Sequence, residues 1–422
     1  MSSGQLDNTN FHLHGKEKHL ELEDGQLLSI TKGYSKDHRP DLVQVGLQLI
    51  VENKSRIPLL MKVLSGNEEE AKSYGAFIST YTEQLNKEYG VELIVVDSKL
   101  YNRDNLSILS KKGSLKWITR VPNHLKAVKD LIANVDKSSF QPLRNEKGEE
   151  IYQYQVLCSR YGDVQQRWLV LFSDTKYERD LKQLDKRLLK ATKADKKSLK
   201  DLKQMSFETK EIALAAALDF SKSLKFNNLE DISIECKKHY NKVGKPKKGQ
   251  EPNRITYHVE ASLCRDMEKY ESEKTKLGYF ILATNELDEA QISNETLVEN
   301  YKNQSSVERA FRFLKDPNIV ASSLFVQKPE RMIAIIMIMT LCLLVYSSLE
   351  YVTRICLQKE NLSFPNQQGK LIQNPTMKWI FEYFEGIHVL YISNNQRFIL
   401  NMDDYQKLIL KLLGRNFQAV YT

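Results

Sequence analysis

Three segments near the start of the chain have the apolar patterns of neighbouring β-strands. Residues 4–14 (GQLDNTNFHLH) alternate apolar and polar side chains around Phe11 and Leu13, and residues 41–51 (DLVQVGLQLIV) are almost continuously apolar. Residues 57–64 (IPLLMKVL) form a third apolar run, and GYSKDHRPD between the first two supplies the Gly, Pro and Asp of a turn. Such runs, bounded by turn residues, are typical of strands. The pattern predicts an antiparallel meander of three strands.

The following segments predict a helix and two more strands. From residue 68 to residue 88 apolar side chains recur at helical spacing, and VELIVVDSKLY then begins with consecutive apolar residues. Such a run is typical of a central strand covered on both faces, and Asp97 lies at its C-terminal end. Residues 115–121 (LKWITRV) predict one more strand, closed by Pro122. This order of elements predicts an α/β fold with an RNase H-like core, which consists of a mixed five-stranded sheet with flanking helices.

A later segment, YKNQSSVERAFRFLK, places four polar side chains at helical spacing. We predict one helix over residues 292–316, in which these four return to nearly the same face because the helix has 3.6 residues per turn. The four are Tyr301, Gln304, Glu308 and Lys315. The neighbouring stripe, which we expect to face a core, consists of Val307, Phe311 and Leu314. Such a helix holds a carboxylate at the edge of a packed interior.

The long separation between Asp97 and this helix predicts an inserted domain, because the RNase H-like core must be completed after it. We expect an α+β insertion with strands at about 150–159 and 167–172. The predicted parts are residues 1–122, the first part of the catalytic core; 123–277, the insertion; 278–360, the second part of the core with the last acid; and 361–422, a C-terminal α+β segment.

The predicted insertion contains two basic segments. Residues 177–205 have an interrupted leucine stripe that predicts a helical hairpin packed on a partner surface, and 12 basic and 6 acidic residues lie between Lys176 and Lys210. Residues 237–254 predict a mobile loop rich in Gly and Pro. The lysines of this loop that we expect to bind DNA are Lys245, Lys247 and Lys248. Each segment is either a solvated face or a contact for DNA phosphates, which would give salt-dependent affinity.

Composition and charge are those of a soluble globular protein with an anionic partner. Apolar residues make up 41% and charged residues 27% of the chain, and the formal net charge is +8. Five scattered cysteines without a CxxC pair favour reduced thiols. The start MSSGQLDNTN predicts no signal peptide, so we expect a cytoplasmic protein. The apolar run 332–346 is shorter than the roughly 18 to 20 residues that span a bilayer, and it predicts a buried core helix.

Three acids have positions that suit metal-dependent phosphoryl transfer. Asp7 lies in the first predicted strand, Asp97 ends the buried strand and Glu308 lies on the predicted helix. Three converging carboxylates hold two divalent cations, which align the attacking and leaving oxygens of an in-line displacement. Tyr301, Gln304 and Lys315 are then candidates for phosphate contacts, although a helix-capping aromatic, a surface amide and a surface lysine are the plainer alternatives.

Several segments resemble the DDE transposases of bacterial insertion sequences. The resemblance is to the insertion-sequence-four-like superfamily, whose signature is Tyr, two residues, Arg, three residues, Glu, six residues, Lys. Tyr301, Glu308 and Lys315 match this signature in type and spacing. Further similarity lies in LDNTNFHLHG, GYSKDHRPDLVQ, IPLLMKVLSGN, VVDSKLY, ILATN and WIFEYFEGIHVLYI. The resemblance covers nearly the whole chain.

The resemblance implies that Asp7, Asp97 and Glu308 are the catalytic triad and the ligands of two Mg²⁺ ions, for which Mn²⁺ can substitute. It implies cleavage of DNA at terminal inverted repeats and attack of the freed 3′ hydroxyl on target DNA. The implied partners are transposon-end and target DNA and a second copy of the chain in the DNA complex, with no membrane. The implied location is the bacterial cytoplasm, at the nucleoid when the protein is bound to DNA. The segment 123–277 would then contact the transposon end.

Two departures from the family pattern leave other hypotheses open. The signature arginine is Gln304 here, which removes a charge-assisted phosphate contact whose loss would weaken catalysis by about 2 kcal/mol. Relatives carry an N-terminal region ahead of the first acid, whereas this chain begins six residues before Asp7, so we expect a truncated form. The alternative is a transposase remnant that binds DNA without catalysing transposition, and a third hypothesis is an unrelated RNase H-like nuclease.

Overall fold

The computed structural model describes residues 2–22, 25, 27–35, 38–112, 115–145, 148–240, 251–316, 328–392 and 396–421. The strands are β1 (Ser2–Leu13), β2 (Lys18–Glu21), β3 (Leu27–Ile30), β4 (Val43–Glu52), β5 (Pro58–Ser65), β6 (Val91–Val96), β7 (Lys116–Arg120), β8 (Gln141–Arg144), β9 (Glu150–Tyr161), β10 (Val164–Phe172), β11 (Asn227–His239), β12 (Arg254–Arg265), β13 (Tyr279–Thr284), β14 (Phe364–Pro365), β15 (Leu371–Ile372), β16 (His388–Ile392) and β17 (Gln396–Leu400). The helices are α1 (Glu70–Tyr89), α2 (Arg103–Lys112), α3 (Lys126–Ala133), α4 (Asp174–Gln204), α5 (Lys210–Ser223), α6 (Met267–Lys274), α7 (Asn294–Lys302), α8 (Ser305–Leu314), α9 (Pro329–Lys359), α10 (Met377–Phe384), α11 (Asp404–Leu413) and α12 (Arg415–Ala419).

The chain forms two compact units. Unit 1 consists of Met1–Pro122, Val156–Leu169 and Ile281–Thr422, and unit 2 consists of Asn123–Gln155 and Val170–Phe280. The second stretch of unit 1 lies inside the segment 123–277 that the sequence assigned to an insertion. The strands β9 and β10 therefore contribute residues to unit 1.

The fold is mixed α/β, and its largest sheet has nine strands among the described residues. Their order is β5-β4-β1-β6-β7-β13-β10-β9-β8. β4 is antiparallel to both β1 and β5, which confirms the predicted meander. β6 is parallel to β1 and to β7, and β13 is antiparallel to β7. The sheet has more than the five predicted strands because β13 continues it past β7, whose edge would otherwise leave backbone groups unpaired.

One face of the central strands packs against two helices that follow much later in the chain. Phe11 and Leu13 of β1 belong to the same buried cluster as Val307 and Phe311 of α8, and α9 contributes Met332. The predicted core stripe of α8 is thereby confirmed, since Leu314 is buried in the same cluster. This packing fixes α8 over the N-terminal strand.

The helix α1 covers the central strands with a second set of buried side chains. Tyr74, Phe77 and Ile78 are all buried, and Asn8 of β1 donates a side-chain hydrogen bond of 2.9 Å to the Ser73 hydroxyl. The continuous apolar run of β6 is buried from Leu93 to Val96, as the sequence predicts for a doubly covered strand.

The single helix predicted over residues 292–316 is wrong, because the structure has two helices there. α7 ends at Lys302, and Asn303 and Gln304 form a turn before α8 begins at Ser305. Both turn residues keep right-handed helical backbone angles, so the polypeptide bends without unwinding fully. Tyr301 therefore lies on α7, and the other polar residues of the stripe lie on or beside α8.

The apolar run 332–346 lies within α9, which has 31 residues and is twice as long as predicted. By length and composition it is the one helix among the described residues that is able to cross a membrane, yet a third of its most apolar window is buried in the protein. Its buried face, with Ile336 and Leu343, packs in the core cluster of unit 1, whereas Ile338 and Leu341 are exposed. One face of α9 therefore lies in the core, as the sequence predicts, and the other face carries apolar side chains that are exposed among the described residues.

Unit 2 contains the basic helix and a long two-stranded sheet. α4 buries Leu184, Leu188, Leu199 and Leu202, which confirms the predicted leucine stripe, and α5 follows it closely. The loop predicted from residue 237 is too long, because β11 extends to His239 and pairs with β12 from Arg254. Strand pairing continues into this basic segment because alternate apolar residues such as Ile234 and Val259 pack beside α5.

Candidate functional site

Two of the predicted acids occupy adjacent positions on neighbouring strands, Asp7 within β1 and Asp97 directly after β6. Leu6 of β1 pairs in parallel with Val96 of β6, and Asp7 and Asp97 are the next residues of the two strands. Because neighbouring strands lie about 4.8 Å apart, the two backbones are side by side at this point. Side chains in such a register point to the same face, which Asp7 shares with Phe11 and hence with α8.

The strand β7 adds an arginine to this row. Val96 of β6 pairs in parallel with Thr119 of β7, so Arg120 stands beside Asp97 as Asp97 stands beside Asp7. The hydroxyl of Thr119 donates a hydrogen bond of 3.0 Å to the carbonyl oxygen of Asp97 and ties the two strand ends together. Arg120 was not predicted as a site residue. Its signal was a charged residue at the end of a buried strand, close to the signal that marked Asp97.

The carboxylate of Asp7 is held by two donors. Its Oδ1 accepts hydrogen bonds from the backbone N–H of Asn8, at 2.7 Å, and from the hydroxyl of Tyr74, at 3.0 Å. Burial raises the pKa of Tyr74 well above its usual value, and the negative charges of Asp7, Glu70 and Asp97 raise it further. The Tyr74 hydroxyl therefore stays protonated and donates across the physiological pH range.

The carboxylate of Asp97 caps a short 3₁₀ turn, Ser98–Leu100. Its Oδ1 accepts from the backbone N–H of Ser98 and, at 3.0 Å, from the hydroxyl of the same residue. In the described part of the chain, Oδ2 of Asp97 has no hydrogen-bond partner. One carboxylate oxygen is thus used for orientation and the other stays available to a ligand.

Tyr301 lies between the acids of the sheet and the acid of α8. Burial raises the pKa of Tyr301, and a hydrogen bond and the positive charge from Arg120 oppose this effect. The charges of Asp97 and Glu308 also raise this pKa. The Tyr301 hydroxyl therefore lies within electrostatic range of one acid on the sheet and of the acid on α8.

Glu308 lies in the first turn of α8 and its side chain is exposed. Its neighbour Val307 is fully buried under it, in the cluster that includes Phe11. A carboxylate in the first turn is stabilised by the positive end of the helix dipole. Packing of the buried face of α8 thus fixes the position of Glu308 at the surface.

The remaining predicted contacts lie around α8 or outside the described residues. Gln304 is the N-cap of α8 and makes no capping hydrogen bond through its side chain. Lys315 is the C-cap, and its Nζ lies 6.0 Å from the centre of the Phe11 ring. Lys245, Lys247 and Lys248 lie outside the described residues.

The acids do not form a closed ligand set in the structure. Across the described ranges, no group of three His, Cys, Asp or Glu side chains is arranged to hold a metal ion. The donor chemistry nevertheless fits Mg²⁺, which prefers carboxylate oxygens, and Oδ2 of Asp97 is one such oxygen. Asp7 and Asp97 are brought together by strand register, and the charges of Asp97 and Glu308 both act on Tyr301.

Comparison with known proteins gives no assignment for this chain. No protein-family model matches the sequence, and no curated protein matches it.

Proposed function

We propose that this chain is a DNA transposase of the DDE class, which cuts DNA at terminal inverted repeats and transfers the strand to target DNA. The observation that carries the proposal is the parallel register of β1 and β6, since it sets Asp7 beside Asp97. A pair of carboxylates at adjacent positions of neighbouring parallel strands is a suitable site for two divalent cations.

The strand order supports the finer assignment of the fold. The order β5-β4-β1-β6-β7, with the first three antiparallel and the last two parallel to β1, is the arrangement expected of an RNase H-like core. In this arrangement the last acid comes from a helix packed on the central strand. α8 contacts β1 and carries Glu308, which agrees with that expectation.

The residues of the site have separate roles in this proposal. Asp7, Asp97 and Glu308 would hold two Mg²⁺ ions, which when bound supply Lewis acidity to the attacking oxygen and to the leaving oxygen. Tyr74 orients Asp7 through its hydroxyl, and Ser98 orients Asp97. Each of these hydrogen bonds fixes the orientation of its carboxylate through Oδ1.

Arg120 supplies a guanidinium in a site whose signature arginine is replaced by Gln304. It hydrogen bonds with Tyr301, the first residue of the signature. A guanidinium binds phosphate oxygens in a planar, bidentate manner and retains its charge at all relevant pH values. We therefore assign Arg120 as the residue that contacts the phosphate and orients Tyr301.

The experiment is cleavage of a plasmid that carries the genomic sequences flanking this reading frame, with Mg²⁺ or Mn²⁺. We expect nicks at the ends of inverted repeats, and we expect Glu308→Gln to abolish them. The matched control is Glu299→Gln, the same change at an exposed position of α7. Unchanged cleavage by Glu308→Gln, or equal losses in both variants, would reject the assignment of Glu308.

A transposase remnant that binds DNA without cutting it is the second candidate. Two observations favour it: Gln304 replaces the signature arginine, and the described acids do not form a three-membered ligand group. This candidate predicts salt-sensitive DNA binding and no metal-dependent nicking, even with both flanking sequences present. Nicks at repeat ends would exclude it.

A further inference from the structure

A cavity of about 460 Å³ lies on the side of α8 next to Glu308. Side chains of α8 and α9 form much of its wall, together with residues that follow β4 and residues that precede α10. Five cations and two acids line it, so its charge is strongly positive. The cations are Arg56, Arg309, Arg312, Arg354 and Lys378.

The acid Glu350 is already saturated by groups of the protein. Its Oε1 accepts from Arg56, at 3.2 Å, and from Arg354, at 2.8 Å, and its Oε2 accepts from the backbone N–H of Met377, at 3.0 Å. Lys378 forms an ion pair of 3.1 Å with the other acid, Asp316. The two acids of the wall are therefore engaged by three of its five cations.

Arg309 and Arg312 are the cations that remain. Neither has an ion pair or hydrogen bond through its side chain anywhere in the described residues. Burial lowers the pKa of Arg309, and repulsion from Arg56 and Arg354 lowers it further. An anion bound among the guanidinium groups of the cavity would relieve this repulsion, because each guanidinium would gain a neighbour of opposite charge.

Ser306 provides an independent sign of a missing ligand. It lines the cavity, only 1% of its surface is exposed, and its hydroxyl has no hydrogen-bond partner in the described structure. A buried polar group without a partner destabilises a fold by about 1 to 3 kcal/mol. Such a group beside two unpaired arginines is suited to hydrogen bonding an oxyanion.

Helical geometry links the cavity to the acids. Viewed along α8, Arg312 is rotated by about 40° and Arg309 by about 100° from Glu308. Arg312 thus lies at the border between the face of Glu308 and the face of the cavity.

We propose that this cavity binds a backbone phosphate of the DNA strand on which the acids act, through Arg309, Arg312 and Ser306. The phosphate chemistry follows from the cavity itself, and the assignment to DNA rests on the proposed function. Arginine suits the role because its planar fork matches two phosphate oxygens.

The test measures binding of duplex DNA by fluorescence anisotropy over a range of NaCl concentrations, without metal so that nothing is cut. Removal of the phosphate contact is expected to reduce the slope of log K against log salt by about 1 in the double variant Arg309→Gln, Arg312→Gln. The matched control, Arg103→Gln with Arg160→Gln, makes the same change at two exposed arginines outside the cavity and should keep the wild-type slope.

A second measurement tests whether the cavity binds phosphate at all, independently of whether its ligand is DNA. Calorimetry with pyrophosphate should show binding to the wild type and the control, weaker binding to Ser306→Ala and none to the arginine variant. If pyrophosphate binding depends on the arginines but the salt slope for DNA is unchanged, the ligand of the cavity is a small phosphate compound and not DNA. That result would overturn the proposal. Absence of both effects in folded protein would overturn the site itself.

These binding measurements test the phosphate site whether or not the protein cleaves DNA. If the wild type makes no nicks but the arginine variant has the reduced slope, the phosphate site stands and the proposed catalysis fails. If nicks occur and the slope is unchanged, the catalytic proposal stands and this one fails.

Discussion

The hydroxyl of Tyr74 donates a hydrogen bond of 3.0 Å to Oδ1 of Asp7. The two residues are brought together by packing of α1 on the sheet. Tyr74 is fully buried, whereas Asp7 is half-buried within β1. A buried side chain of α1 is thus hydrogen bonded directly to a candidate catalytic carboxylate.

Replacement of Tyr74 by Phe should destabilise the fold and weaken metal-dependent cleavage. The change removes a hydrogen bond to a charged group, which contributes about 1.5 to 3 kcal/mol. The free energy of unfolding from urea denaturation measures the first effect, and nicking at a fixed Mg²⁺ concentration measures the second. Tyr81→Phe on the same helix is the control, because the Tyr81 hydroxyl has no partner among the described residues. Equal behaviour of both variants would contradict the orienting role.

Replacement of Arg120 by Gln should reduce cleavage by at least tenfold while leaving the fold intact. The change removes the guanidinium that hydrogen bonds with Tyr301, and a charge-assisted contact of about 1.4 kcal/mol corresponds to a factor of ten. Nicking rates of Arg120→Gln and Arg120→Lys are compared with those of the exposed control Arg103→Gln. Full activity of Arg120→Gln would show that the guanidinium plays no part.

The pair of Arg39 and Asp41 predicts a pH effect in the segment GYSKDHRPD. The bidentate hydrogen bonds from Arg39, at 2.9 and 2.8 Å, lower the pKa of Asp41 from 3.8 to about 2. Because the folded-state pKa is lower than the unfolded one, the pair stabilises the fold above about pH 4 and this effect disappears as the pH falls through 2.

The measurement for this pair is an NMR titration of the Asp41 carboxyl group. In Arg39→Gln the pKa should return towards 3.8, and in Arg39→Lys it should take an intermediate value because the charge remains without the planar fork. A value near 2 in Arg39→Gln would mean that another group lowers the pKa.

Replacement of Gly75 by Ala should destabilise unit 1 by about 1 to 3 kcal/mol, the usual range for an overpacked core. A Cβ at Gly75 would lie 2.3 Å from Oδ1 of Asn105 on α2. Because the obstacle is a side chain, Asn105→Ala in the same molecule should recover part of the loss, although it removes the hydrogen bond from Asn105 to the Ala71 carbonyl. Urea denaturation of the two single variants and the double variant measures this, and strictly additive losses would contradict the contact.

Local patterns predicted most elements of the sheet and the buried face of α8. The continuous apolar run from Leu93 to Val96 is enough to indicate a central strand, because only a doubly covered strand needs apolar side chains on both faces. The periodicity of Val307 and Phe311 likewise indicates the face that packs on β1. The break at Asn303 was not predicted, since both turn residues keep helical backbone angles and no Gly or Pro marks the bend.

By itself, the sequence determined which segments form buried strands and which charged residues lie in or directly after them. A buried strand needs apolar side chains, whereas a charged side chain near its end can reach solvent. Only the tertiary structure decided which of those charges are neighbours. Asp7 and Asp97 are 90 residues apart in the chain, and the parallel register of two strands brings them together, with Arg120 beside them. The cation-lined cavity beside α8 arises in the same way, from contacts between distant segments that no local pattern of side chains encodes.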